Sequence, residues 1–309
     1  MNAIATSHLI AAGRSALVAN FARRFTIAGV TVEVRGDAPE AVNIGPQLEP
    51  FATDNNLPDI RVQVEWSPTI APCQTREFFH SGCLWSAHEI ADGLLFDFAT
   101  LRLGSNPYKR MIVDEDFRQA QVVLNRECLT ADDAGRALEY PLDELLITHY
   151  LSLGRGVELH ACGLVCEDGT AVLFAGHSGA GKSTTARLWS DQVPVEVLSD
   201  DRIIVRKHGS QFLMHGTPWH GEAAFATPGR APIQRIFLLE HGPANRIERL
   251  SPSAAVGELL VRSFTPFYQP RFVNPVLALL EALAASLPCY RFHFVPDQTA
   301  VERILAFRD

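Results

Sequence analysis

The stretch Ala171-Val172-Leu173-Phe174-Ala175-Gly176-His177-Ser178-Gly179-Ala180-Gly181-Lys182-Ser183-Thr184 decides how the chain is read. Five apolar residues run into a loop with three glycines, and the loop runs into a helix-forming stretch that reaches about Trp189. A short apolar run of this kind, bounded by turn residues, reads as a buried strand. A polyphosphate needs many hydrogen-bond donors close together, and side chains on β-carbons would hold the backbone away from its oxygens. Glycines remove that obstacle, so that successive N–H groups point inward while the following helix presents its positive end. In such a pattern Lys182 supplies a cation and the Ser183 hydroxyl a magnesium ligand. Gly176 to Thr184 are therefore the candidate contacts of a nucleotide, ATP with Mg2+, with Ser178 a candidate donor to a phosphate oxygen. His177 stands at a variable position of the pattern. The bland alternative is a glycine turn that binds nothing.

Working outward, Val157 to Val165, the turn Glu167-Asp168-Gly169 and Ala171 to Ala175 read as a hairpin whose second strand delivers the loop. Beyond the helix, the run Val193 to Leu198 stops one residue short of Asp200-Asp201. That puts the pair at the end of a core strand, where open α/β sheets place their ligands. Phosphoryl transfer asks for a divalent ion on the terminal phosphates and a carboxylate for the attacking hydroxyl. Neighbours on an extended chain point to opposite sides, so the two aspartates should divide these tasks. Ser183 and Asp201 are the candidate metal ligands, and Asp200, Asp201 and Lys182 the candidate catalytic groups. The spacing leaves open which aspartate does which job; a solvated strand-end turn is the bland alternative, which the upstream glycine loop outweighs. His160, in an apolar run, is by itself a core histidine more readily than a catalytic one. The segment His215 to Glu222 packs polar groups and two glycines after a strand, the habit of a site-lining loop. Thr217, Glu222 and Arg230 are candidates there for phosphate, metal or acceptor contacts.

Strands Ile203 to Arg206, Phe212 to His215, Ile233 to Glu240 and Tyr290 to Val295 alternate with helical patterns at Ser253 to Ser263, Pro275 to Leu287 and Asp297 to Phe307. The second half is thus an α/β domain, in a chain that is α+β overall. The first half differs. Val30 to Arg35, Ile60 to Trp66, Leu84 to Ile90 and Leu94 to Phe98, the last two around Asp92-Gly93, read as antiparallel strands of a smaller, mainly β domain. A helix at Pro141 to Leu151, closed by Gly154, marks the boundary, so the expected domains are 1–140 and 141–309.

The chain has 309 residues, 47% of them hydrophobic, with a net charge of -8. A core is affordable, and the acidic balance argues against nucleic acid as a partner. No secretory signal or apolar run of membrane-spanning length is evident, which points to the cytoplasm and away from a membrane. Six cysteines are scattered without zinc spacing, so thiols are expected to be reduced and unmetallated. Oligomeric state, including a homo-oligomer, is left open.

His160 on its strand, the loop Gly176 to Ser183 and Asp200-Asp201 after the next strand resemble the catalytic domain of the HPr kinase/phosphorylase family. That domain is itself similar to the nucleotide-binding part of phosphoenolpyruvate carboxykinase. Val157 to Gly163, Gly216-Thr217-Pro218-Trp219 and Ile236 to Glu240 look more like HPr-kinase-related proteins, some of which phosphorylate a serine of a ribosomally made peptide. The likeness runs from about Leu142 to Phe307. It implies an ATP-dependent kinase with a seryl acceptor on a peptide or small protein, Lys182 and Ser183 as phosphate and magnesium ligands, an aspartate of the pair as base, and His160 as partner of that carboxylate. The arginine- and glycine-rich segment that the phosphocarrier enzymes use for phosphorolysis is missing, which speaks against a reverse reaction and against HPr as substrate. A carboxykinase-like or other small-molecule kinase and a non-catalytic ATP-binding regulator are the rival readings; the first would need clustered arginines, whereas Arg187, Arg202 and Arg230 are scattered. The first domain is the expected docking surface.

Overall fold

The structure is a computed structural model that describes residues 21–54, 57–82, 84–104, 106–130 and 137–308. Cys83 lies outside them, as do parts of the amino-terminal segment. The chain divides into two compact units of nearly equal length, Met1–Tyr150 and Leu151–Asp309.

In the first unit β1 (Phe21–Ile27) and β2 (Val30–Gly36) form a hairpin through Ala28 and Gly29, both at positive φ. That twist suits a two-residue hairpin turn. There follow β3 (Ile60–Ser67), β4 (Glu77–His80), β5 (Trp85–Ile90), β6 (Gly93–Phe98), β7 (Lys109–Asp114) and β8 (Gln119–Asn125). Among the described residues they make one eight-stranded sheet in the order β1-β2-β3-β8-β7-β6-β5-β4. The expected hairpin around Asp92-Gly93 is present as β5 and β6. The sheet is mixed, however, because β3 runs parallel to both β2 and β8. The connections on either side of β3 are long enough to bring the chain back in the same direction, which a tight turn does not allow. The unit spans Met1–Tyr150, slightly shorter than the second. Helix α1 (Leu142–Ser152) forms where periodicity placed it, and the division between the units falls near its end.

The second unit contains β9 (Val157–Cys166), β10 (Ala171–Ala175), α2 (Lys182–Gln192), β11 (Val195–Ser199), β12 (Arg202–His208), β13 (Gln211–His215), β14 (Arg230–Pro232), β15 (Arg235–His241), β16 (Arg246–Arg249), α3 (Pro252–Leu260), α4 (Pro270–Ser286), β17 (Cys289–Phe294) and α5 (Gln298–Leu305). Its sheet runs β14-β13-β12-β9-β10-β15-β17-β16, with β11 also on β9. Strand β9 changes partners along its length: Val157 to His160 face β12, and Gly163 to Cys166 face β11. The aspartate pair sits at this change. Helix α4 begins one turn before the expected Pro275, because Pro270 opens it and Pro275 is carried inside its early turns.

Side chains of β10 alternate between two apolar layers. Val172 and Phe174 pack with Ala186 and Trp189 of α2 and Val301 of α5, while Leu173 and Ala175 face Leu259 of α3 and Leu280 of α4. A sheet covered on both faces holds the carboxyl end of β10 rigid, and the loop begins there. Phe237 of β15 is fully buried between Phe174 and Tyr290, at centroid distances of 5.5 and 5.3 Å. Phe237→Ala should therefore lower unfolding stability by about 3–5 kcal/mol, read from the guanidinium midpoint; a loss under about 1 kcal/mol would contradict this packing.

Candidate functional site

The chain leaves β10 at Ala175 and turns through Gly176 to Gly181 into α2. Gly176 N–H donates to the His160 carbonyl at 3.0 Å, which pins the start of the loop to β9. Gly179 and Gly181 have φ of 78° and 98°, values that a side chain would strain. At Gly181 there is no room either, since a β-carbon would lie 2.4 Å from Phe294 Cζ. As the N-cap of α2, Gly181 offers no side-chain acceptor to the first helical amides. Those amides have no partner within the helix and form an electropositive rim. Lys182 is buried and donates to the carbonyls of Gly176 and His177, each at 3.1 Å. Burial lowers its pKa, with the Asp201 carboxylate, 3.5 Å away, pulling the other way.

Asp200 and Asp201 occupy the step between β11 and β12, and their side chains diverge. Asp200 is fully buried. Its Oδ1 accepts from the N–H groups of Gly221 at 3.0 Å and Phe225 at 3.2 Å. Its Oδ2 accepts from Ala223 N–H at 3.0 Å and from the Ser183 hydroxyl at 2.6 Å. Because a carboxylate can only accept, Ser183 uses its single proton there, and its lone pairs remain for a cation. Asp201 turns to the cleft. His160 Nε2 donates to its Oδ1 at 2.8 Å, and the Arg202 guanidinium engages Oδ2. Burial pushes the Asp201 carboxyl up, but the His160 hydrogen bond and the charges of Arg202 and Lys182 prevail and hold it below the usual carboxylate range. At neutral pH Asp201 is an anion.

These groups open on a cleft of about 530 Å³. Of the residues singled out in the sequence, His160, Ser178, Gly179, Gly181, Lys182, Ser183, Thr184, Asp201 and Glu222 line it. Asp200 stands behind Ser183. Gly176 and Ala180 support the loop, and His177 is exposed with its carbonyl turned to Lys182. Asp201, expected beside Ser183, stands instead with His160, and Asp200 takes the serine. Thr217 is not brought to the cleft: it is fully buried, with its hydroxyl donating to the carbonyls of Arg202 and Trp219. Arg230 is exposed on β14, opposite His215, and is not part of the lining either.

Gly221, of the loop read as site-lining, also lines the cleft, as do Arg202, Phe264 and His241, which were not among the candidate contacts. Gly221 had a signal, since it lies in the polar loop after β13. Its α-carbon lies so close to the acidic pair that a β-carbon would be 2.6 Å from Asp200 Oδ2. Phe264 had none, as it reaches the site by pairing of residues 262–264 along β9.

Among the described residues no group of three or more His, Cys, Asp or Glu is arranged to hold a metal. A hydroxyl with open lone pairs in front of a buried carboxylate suits magnesium, which takes one or two protein ligands and fills its other positions from phosphate and water.

Residues 140–269 match the family described as SynChlorMet cassette protein ScmC. Among solved structures, the Hpr(Ser) kinase/phosphatase from Coxiella burnetii is similar over 48% of this chain and 93% of that one, at 16% identity and a TM-score of 0.29. No curated protein matches the chain. Among the described residues no helix is long and apolar enough to cross a membrane.

Asp200→Asn would turn an NH2 group toward amides that already donate, so unfolding stability should fall by about 1–3 kcal/mol in denaturant titration. His215, at the end of β13, is buried, its Nε2 has no partner among the described residues, and burial lowers its pKa to about 4. The fold thus favours the neutral ring, and the resulting stability is complete above about pH 6.5 and drains away as pH falls toward 4. Compared with His215→Gln, the wild type should lose up to about 3 kcal/mol more between neutral pH and pH 4; parallel stability curves would refute this.

Proposed function

We propose that the second unit binds magnesium ATP at Gly176 to Thr184 and transfers the γ-phosphoryl group to a hydroxyl, most simply a seryl hydroxyl of a peptide or small protein. The observation that carries this reading is the placement of Asp201, an anion gripped by His160 at 2.8 Å and 3.5 Å from Lys182 Nζ, at the mouth of the glycine loop. The loop amides and the first turn of α2 face incoming phosphates. Lys182, held in reserve by loop carbonyls, transfers its hydrogen bonds to phosphoryl oxygens and spreads their charge. Asp201 accepts the proton of the acceptor hydroxyl as its oxygen bonds to phosphorus and the bond to the leaving diphosphate breaks. His160 orients that carboxylate through Nε2. Ser183, backed by Asp200, would hold magnesium, which when bound neutralises charge on the terminal phosphates.

A carboxykinase-like reaction is less well supported. Arg187 is engaged with the Glu222 carbonyl, Arg202 with Asp201, and Arg230 lies elsewhere, so these three arginines form no cluster for a substrate's carboxylates. The amino-terminal unit is the proposed docking surface for the acceptor.

Radiolabelled ATP, magnesium and candidate serine peptides test the reading. Label should appear on serine, and Asp201→Asn should slow transfer by about 10²–10⁴-fold while ATP affinity changes little. Lys182→Ala should weaken both binding and transfer. ATP binding with no label on any acceptor would favour a regulator, and no binding heat at all would remove the nucleotide from the account.

A further inference from the structure

The glycine loop lies between two flanks of its sheet. On one side are β9 and the acidic pair; on the other are β15, parallel to β10, and then β17, parallel to β15. Under the function proposed above, Asp201, Lys182 and Ser183 fix the reacting end of the triphosphate on the β9 side. The nucleoside then leaves across the loop, over the carboxyl ends of β15 and β17, the region where parallel strands present ligands.

At that place stands His241, the last residue of β15. Its ring is exposed, lines the cleft, and stacks on the ring of Phe294, the last residue of β17 and its cross-strand partner. The centroids are 5.2 Å apart and the planes 26° from parallel. His241 Nε2 lies 3.0 Å from the Gly179 carbonyl, and since a carbonyl only accepts, that nitrogen carries the proton. A surface histidine ordinarily rotates in solvent; this one is fixed by the loop at one edge and by a buried phenylalanine beneath. Phe294 in turn fills the space above Gly181, so the same stack that shapes the loop supports the exposed ring. Phe264, an aromatic side chain on the opposite wall, is already covered by the Arg202 guanidinium at 4.0 Å from its ring centroid and lies on the acidic side.

We propose that His241 is the platform on which the nucleotide's base stacks. This rests on the nucleotide reading above. Stacking on a flat ring is tolerant of base identity, so ATP and GTP use the platform alike.

Calorimetry on the full chain with magnesium present, using ATP, GTP and inorganic tripolyphosphate as probes, tests it. His241→Ala should bind both nucleotides about tenfold more weakly and tripolyphosphate as the wild type does, whereas His241→Phe should keep nucleotide affinity within about threefold. Unchanged nucleotide affinity in the alanine variant overturns the platform. Equal losses for nucleotide and tripolyphosphate overturn it as well, because they would mean that His241 only braces the loop. If the wild type binds tripolyphosphate but gains nothing from the nucleoside, the platform fails and the phosphate cradle stands. If it binds none of the probes, the nucleotide reading falls and takes the platform with it.

Discussion

A carboxylate with no exposed surface must be met by donors on every side or the fold carries a heavy desolvation cost, and Asp200 meets that demand with three main-chain amides and one hydroxyl. The amides come from Gly221, Ala223 and Phe225, on a loop that has no regular structure to hold it. The hydroxyl comes from Ser183, in the first turn of α2. Satisfying one anion therefore fastens an irregular segment to the head of a helix and draws the floor of the cleft together. Gly221 shows how close the approach is, since even a methyl group there would press on Asp200 and Ser183.

Asp201 meets the opposite condition. It lies at the cleft among His160, Lys182 and Arg202, so that burial and positive charge compete and charge prevails. Adjacent residues on an extended chain point apart, and this elementary geometry separates a buried carboxylate from a cleft-facing one within a single dipeptide. Ser199 holds the step that makes it possible, accepting from the amides of Asp201 and Arg202 and donating to the Trp219 carbonyl. Thr217, a candidate contact by sequence, performs a similar bracing task from beneath.

What could be read from sequence was local. The strand β10, the glycines, Lys182, Ser183 and the hairpin with β9 follow one another in the chain, and each rests on a short-range rule: apolar run, tight turn, helix start. The divergence of the two aspartates was equally accessible. The partner of Ser183 was not, because which carboxylate reaches the serine depends on how the loop from Gly221 to Phe225 closes over Asp200. Arg230 and Thr217 have suitable chemistry, but Arg230 stands exposed on β14, and Thr217, in the loop after β13, is held inside by the Arg202 and Trp219 carbonyls. In the first unit β2, β3, β5 and β6 were legible and β1, β4, β7 and β8 were not, while the parallel placement of β3 depends on long connections that carry no periodic signal.

His160 links the two halves of the cleft. Its carbonyl accepts from Gly176 at the start of the loop and its ring donates to Asp201, so one residue positions both the cradle and the carboxylate. It can do so because β9 exchanges β12 for β11 just beyond it, leaving a gap in strand pairing into which the acidic dipeptide fits. A histidine at that point of the strand is therefore more than a hydrogen-bonded core residue. The main-chain contact would survive replacement of the ring, whereas the contact with Asp201 would not, and the two roles are separable by chemistry even though they share a residue.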